Sequence, residues 1–197
     1  MSEILCVTNR ALCNGDFFGR IRQIAEAKPA GIILREKDLS ETEYKKLAYR
    51  VLALCQENRT LCILHNFVSA AKDLNCRALH LPMHILSTLC EEERKYFTIL
   101  GASCHSVEEA VRAEHLGCTY ITAGHIFATD CKRGLPGRGL AFLREVCENV
   151  SIPVYAIGGI TAENAAEVKT CGAYGVCAMS GAMQCSDVRN YFSAFHG

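Results

Sequence analysis

Neither sign of charge is in excess in this chain: 21 Lys and Arg residues balance 21 Asp and Glu over 197 residues, for a formal net charge of zero. No long-range field therefore draws nucleic acid or an anionic membrane, and a small-molecule partner is favoured. No apolar run reaches the length of about 18 residues that a membrane-spanning helix requires. The start, Met1-Ser-Glu-Ile-Leu-Cys-Val7, lacks a basic segment followed by a long apolar stretch, so the expected location is cytoplasmic. Proline-rich and low-complexity stretches are missing too. With no linker, one domain covering residues 1–197 is expected.

Cysteine is abundant, yet the patterns that would give it chemistry are absent. There are 13, an odd number, and no C-x-x-C pair occurs. Cys6, Cys62, Cys104 and Cys177 sit in apolar runs, and Cys55 and Cys147 on helical faces, where a reduced thiol packs as a small hydrophobe. No histidine pair has ligand spacing on a recognisable element either, so neither a zinc site nor any other metal is expected. Cys131 lies in a long loop with no activating base beside it, and a nucleophilic role is not assigned.

What the chain does have is alternation. Apolar, β-rich runs recur at Ile4–Thr8, Gly31–Arg35, Leu61–His65, Ala78–Leu81, Thr98–Ser103, Tyr120–Ile126, Val154–Gly158 and Gly175–Met179. Eight runs in this length give about 25 residues per unit, enough for a compact strand-plus-helix repeat. The clearest helical pattern puts Tyr44, Leu47, Ala48, Val51 and Cys55 on one face, after Ser40 and Glu43 at capping-box spacing. Ser106 and Glu109 repeat that spacing before Val107, Ala110 and Val111. Near-continuous apolar strands joined by helices imply a parallel sheet covered on both faces. The expected fold is a single (β/α)₈ barrel, with an open doubly wound sheet as the alternative. The segment Gly134-Leu-Pro-Gly-Arg-Gly139 has the wrong glycine order for a dinucleotide fingerprint, so no nicotinamide cofactor is expected.

Barrel enzymes assemble their chemistry at the carboxyl ends of the strands. Those ends carry Arg35 and Lys37 after the second strand, His65 and Asn66 after the third, and His80 at the fourth. Ser103 and His105 follow the fifth strand and His125 the sixth. The runs Val154-Tyr-Ala-Ile-Gly-Gly159 and Val176-Cys-Ala-Met-Ser-Gly181 each stop at residues with exposed amides. Gly158, Gly159, Ser180 and Gly181 are therefore expected to cradle a phosphate. His125 is the candidate acid-base group, since imidazole with an unperturbed pKa of about 6.5 moves protons near neutrality. The competing reading is a histidine that only hydrogen-bonds a loop. Arg35 and Lys37 flank Glu36 with period two, which points both cations to one side. They either capture a substrate anion or pair internally with Glu36 or Asp38. Lys132, in the loop after the sixth strand, is a further candidate anion contact.

At these residues the chain resembles the thiamine phosphate synthase superfamily, nearly end to end. The resemblance is carried by Leu5-Cys-Val-Thr-Asn-Arg10, Leu34-Arg-Glu-Lys37, His80-Leu81, Ser103-Cys-His105 with the acidic helix start behind it, and Pro153-Val-Tyr-Ala-Ile-Gly-Gly-Ile160. The long segment from Gly124 to Gly139 is similar to the TenI-type thiazole tautomerase branch. That branch implies a cofactor-independent isomerase that aromatises a dihydro carboxythiazole ethyl phosphate, with His125 moving the proton. Its partner would be a small thiazole phosphate, held by Arg35, Lys37 or Lys132 at the carboxylate and by Asn66 and Ser103 at the ring. Homo-oligomerisation is left open. The alternatives are a thiamine phosphate synthase coupling thiazole phosphate with hydroxymethylpyrimidine diphosphate, or a regulator that binds such phosphates without turnover. Synthases in the superfamily carry Asn-Asp after the third strand for magnesium diphosphate; here Asn66 is followed by Phe67.

Overall fold

The computed structural model describes residues 3–129 and 134–196. In chain order the strands are β1 (Glu3–Val7), β2 (Gly31–Leu34), β3 (Cys62–His65), β4 (Ala78–Pro82), β5 (Ile99–Cys104), β6 (Tyr120–Gly124), β7 (Val154–Ile157) and β8 (Gly175–Ala178). They hydrogen-bond in that order and close into a barrel, so the fold is the expected (β/α)₈. The helices are α1 (Phe17–Glu26), α2 (Glu41–Glu57), α3 (Val68–Asp73), α4 (Met83–Leu86), α5 (Glu91–Lys95), α6 (Val107–His115), α7 (Gly139–Asn149), α8 (Ala165–Thr170), α9 (Ser180–Gln184) and α10 (Val188–Ser193). Every residue of β2, β3, β6 and β8 is buried. Parallel strands covered on both faces require such unbroken apolar runs, and this is why the sequence lacks a simple in-out alternation.

Packing divides the chain into two compact units. One comprises Ile4–His80 with residues 178–196, the other Leu81–Cys177 with Glu3. In the first, β1, β2 and β3 pair in parallel, and β3 meets β4 with His65 opposite His80. Helix α2 begins as the sequence foretells: Ser40 accepts from the Glu43 amide while the Glu43 carboxylate accepts from the Ser40 amide. Tyr44, Ala48, Val51 and Cys55 are buried along it, and Leu47 only partly. The Tyr44 hydroxyl then donates to the Leu34 carbonyl at 2.7 Å and accepts from the His65 amide at 2.8 Å. One buried phenol thereby ties α2 to the ends of β2 and β3.

In the second unit, β5, β6, β7 and β8 pair in parallel. Ser106 accepts from the Glu109 amide, but the Glu109 carboxylate turns to the His105 amide at 2.6 Å, so the second box is only half closed. Strand β6 stops at Gly124, two residues short of the expected Ile126. The amides of Ile126 and Phe127 nonetheless bond to the carbonyls of Ile157 and Gly158, so the apolar run continues as a strap along β7. Among the described residues no helix is long and apolar enough to cross a membrane.

Candidate functional site

Building from the first unit, the loop after β2 is organised by a carboxylate that the sequence placed between two candidate cations. Glu36 is buried. It accepts from the Thr8 hydroxyl at 2.6 Å and from the Arg10 amide at 3.1 and 3.0 Å, with the Arg10 guanidinium 3.6 Å away. The Thr8 hydroxyl accepts in turn from the Arg35 amide at 3.0 Å. Arg10 also pairs with Asp38. An ion pair with both acids is made by Arg10, a residue read in the sequence only as part of a motif. Its signal was available: a cation just past the first strand lies one strand over from two acids just past the second.

Beside this network, Asn66 adopts a φ of 72°, its amide donating to the His80 carbonyl at 3.1 Å. The His65 and His80 rings stack with centroids 5.9 Å apart and 19° between planes, both buried. Burial holds both imidazoles neutral: His65 is pushed down to about 2, helped by His80, Arg35 and Lys37, and His80 to about 3 by desolvation alone. Phe67 packs on Tyr44 with centroids 4.7 Å apart. Ser180 and Gly181 open α9; Ser180 is exposed, and a Cβ on Gly181 would collide with the Tyr191 ring.

In the second unit, His125 lies just past β6, and its Nε2 sits 3.4 Å from the Leu135 carbonyl. A carbonyl only accepts, so this nitrogen carries the proton and the ring holds the loop. The His105 Nδ1–H donates likewise to the Gly124 carbonyl at 2.7 Å. Gly158 and Gly159 have φ values of 100° and 67°, and an added Cβ would drive into His125 at the first and into Phe127 and Ala128 at the second. The strap after β6 therefore presses on the end of β7 so closely that only glycine fits. Ser103 is half-buried near the end of β5, opposite Thr122. Lys132 and Cys131 lie outside the described residues.

The candidate residues thus fall into two sets. Arg35, Lys37, Asn66, Ser180 and Gly181 belong to the first unit, and Ser103, His125, Gly158 and Gly159 to the second. Among the described residues no three His, Cys, Asp or Glu side chains gather as a metal cage. At the ends of β3 and β4 the donor set is two neutral imidazoles and an amide, and Glu36, the one buried carboxylate among the described residues, is committed to Thr8 and Arg10. Magnesium prefers carboxylate and water oxygens. These residues do not fit that ion.

Comparison with known proteins covers nearly the whole chain. Residues 4–182 match the family described as thiamine monophosphate synthase. The chain is 31% identical over 189 residues to the thiamine-phosphate synthase of Fusobacterium nucleatum, covering 95% of this chain and 92% of that one. It is 36% identical over 169 residues to the thiamine-phosphate synthase of Pyrococcus abyssi, covering 86% and 82%. The thiamine phosphate pyrophosphorylase structure from Pyrococcus furiosus superposes with a TM-score of 0.83 at 29% identity, over 98% of this chain and 93% of that one. These relatives are named for a transferase, which overturns the expected isomerase. The isomerase was inferred from the place of a histidine past a barrel strand, and place signals position and not reaction class. From the match over residues 4–182 and these identities, the chain belongs to the thiamine monophosphate synthase family.

Proposed function

We propose that the protein is a thiamine-phosphate synthase, a transferase that couples thiazole phosphate with hydroxymethylpyrimidine diphosphate in the cytoplasm. The observation that carries this reading is the identity of 31% over 95% of the chain to a protein bearing that name. In the coupling, the thiazole ring nitrogen bonds to the pyrimidine methylene carbon. The bond from that carbon to the diphosphate oxygen breaks, and diphosphate leaves with the electron pair.

The chain's own residues supply binding and charge. Arg35 and Lys37, just past β2, are candidate cations for the diphosphate. Asn66 and Ser103 are polar candidates for the rings, and the amides at Gly158 and Gly159 and at Ser180 and Gly181 are candidates for phosphate oxygens. His125 holds the strap after β6 against β7 through its bond to Leu135. One domain over the whole length is part of this reading.

The test is to incubate the purified protein with both substrates and follow thiamine phosphate and released pyrophosphate together. Equal amounts of the two products are expected. No product from a protein that binds both substrates would end the synthase reading. It would favour a second one, binding without turnover, which the placing of Phe67 where synthases carry a carboxylate supports.

A further inference from the structure

Asn164 stands at the N-cap of α8, where an asparagine side chain ordinarily accepts a hydrogen bond from one of the first helical amides. Here it makes no such cap. The side chain turns back instead: its Oδ1 accepts from the Thr161 amide at 2.9 Å, and its Nδ2 donates to the Gly159 carbonyl at 2.9 Å. Both bonds close the loop that follows β7, and neither serves the helix.

The bond to Gly159 has a directional consequence. The peptide links from Gly158 to Ile160 are trans, and in a planar trans peptide the carbonyl and the following N–H point opposite ways. The Gly158 carbonyl is held by the Phe127 amide at 3.0 Å, so the Gly159 N–H is aimed away from that amide. The Gly159 carbonyl is held by Asn164, so the Ile160 N–H is aimed away from the Asn164 side chain. Among the described residues neither N–H meets an acceptor, and both residues are only half-buried. Two successive glycines leave the backbone free to turn either peptide over. An anchor outside the glycine pair is what fixes the direction of the second one, and Asn164 is that anchor.

We propose that Asn164 is a positioning residue for the phosphate arm of the substrate, clasping the loop after β7 so that the Gly159 and Ile160 amides are set to donate to phosphate oxygens. That the ligand is thiazole phosphate rests on the synthase reading; the clasp itself does not.

Titration calorimetry with thiazole phosphate, and with the dephosphorylated thiazole alcohol, tests this on the parent, Asn164→Ala and Asn164→Asp. The alanine removes both bonds, whereas the aspartate keeps an acceptor for Thr161 and has no donor for Gly159. Each variant should bind thiazole phosphate about tenfold or more weakly, the scale of one charge-assisted hydrogen bond, and the alcohol within about threefold of the parent. In the coupling assay the KM for thiazole phosphate should rise by a similar factor, with kcat and the KM for the pyrimidine diphosphate changed less than about twofold. Equal weakening of phosphate and alcohol in both variants, or parent-like affinity for thiazole phosphate in either, would overturn the assignment. The outcome is separable from that of the coupling reaction. Product formation with an indifferent Asn164→Ala removes this inference alone; Asn164-dependent binding without product removes only the synthase reading; no binding of thiazole phosphate by the parent removes both.

Discussion

At the ends of β1 and β2 the chain is held by a side chain: the Glu36 carboxylate gathers a hydroxyl, an amide and a guanidinium, and the buried histidine pair lies in the same unit. At the ends of β6 and β7 it is held by backbone. Main-chain bonds from Ile126 and Phe127 run to Ile157 and Gly158, those from Arg138 and Gly139 run back to His125 and Ile126, and glycines admit the close approach. The first region is built from buried polar groups, so its stability should follow charge and protonation. The second is built from missing atoms, so it should follow steric bulk.

The largest expected effect uses pH against the first region. His65 and His80 have folded pKa values of about 2 and about 3, below the ordinary 6.5. The unfolded chain therefore binds more protons in the interval between, and stability, complete above the unfolded pKa, falls as pH drops toward the folded values. Between pH 7 and 5 the two rings together should cost about 4 kcal/mol. Urea unfolding at the two pH values checks this. In His65→Phe the drop should be about halved; an unchanged drop would assign it elsewhere.

Next comes a methyl group in the second region. Gly158→Ala places a Cβ against His125 at a φ of 100°. Overpacking and the left-handed backbone together should cost about 3 kcal/mol in an unfolding titration at pH 7. A loss below about 1 kcal/mol would show that the strap gives way easily, and the contrast between the regions would fail.

The smallest effect compares helix starts. Ser40 and Glu43 cap α2 reciprocally, whereas Glu109 leaves Ser106 for the His105 amide. Ser106→Ala should cost about 1 kcal/mol, and Ser40→Ala a few tenths more. Equal unfolding midpoints for the two variants would mean that the bond from the Ser40 hydroxyl to the Glu43 carboxylate, which Ser40→Ala also removes, adds nothing.

Much of this was legible in the residues. The eight strands lay where apolar runs said they would, because a parallel strand covered on both faces must be apolar throughout. Strand-end positions such as Arg35, Asn66 and His125 were legible for the same reason. Their partners were not. Arg10 meets Glu36 and Asp38 across 26 and 28 residues of chain, and the His65–His80 stack arises from the β3–β4 register, neither of which leaves a mark in local spacing. The isomerase expectation failed similarly. It read a reaction class from the place of His125, and the relatives carry the name of a transferase.

Sequence alone determined the barrel, the family and the strand-end inventory, since hydrophobic period, capping residues and motif spacing are properties of the linear chain. Tertiary structure decided which charges are spent inside the protein. Burial and pairing are set by neighbours distant in sequence, and they turned Glu36 into a structural staple and made two histidines neutral.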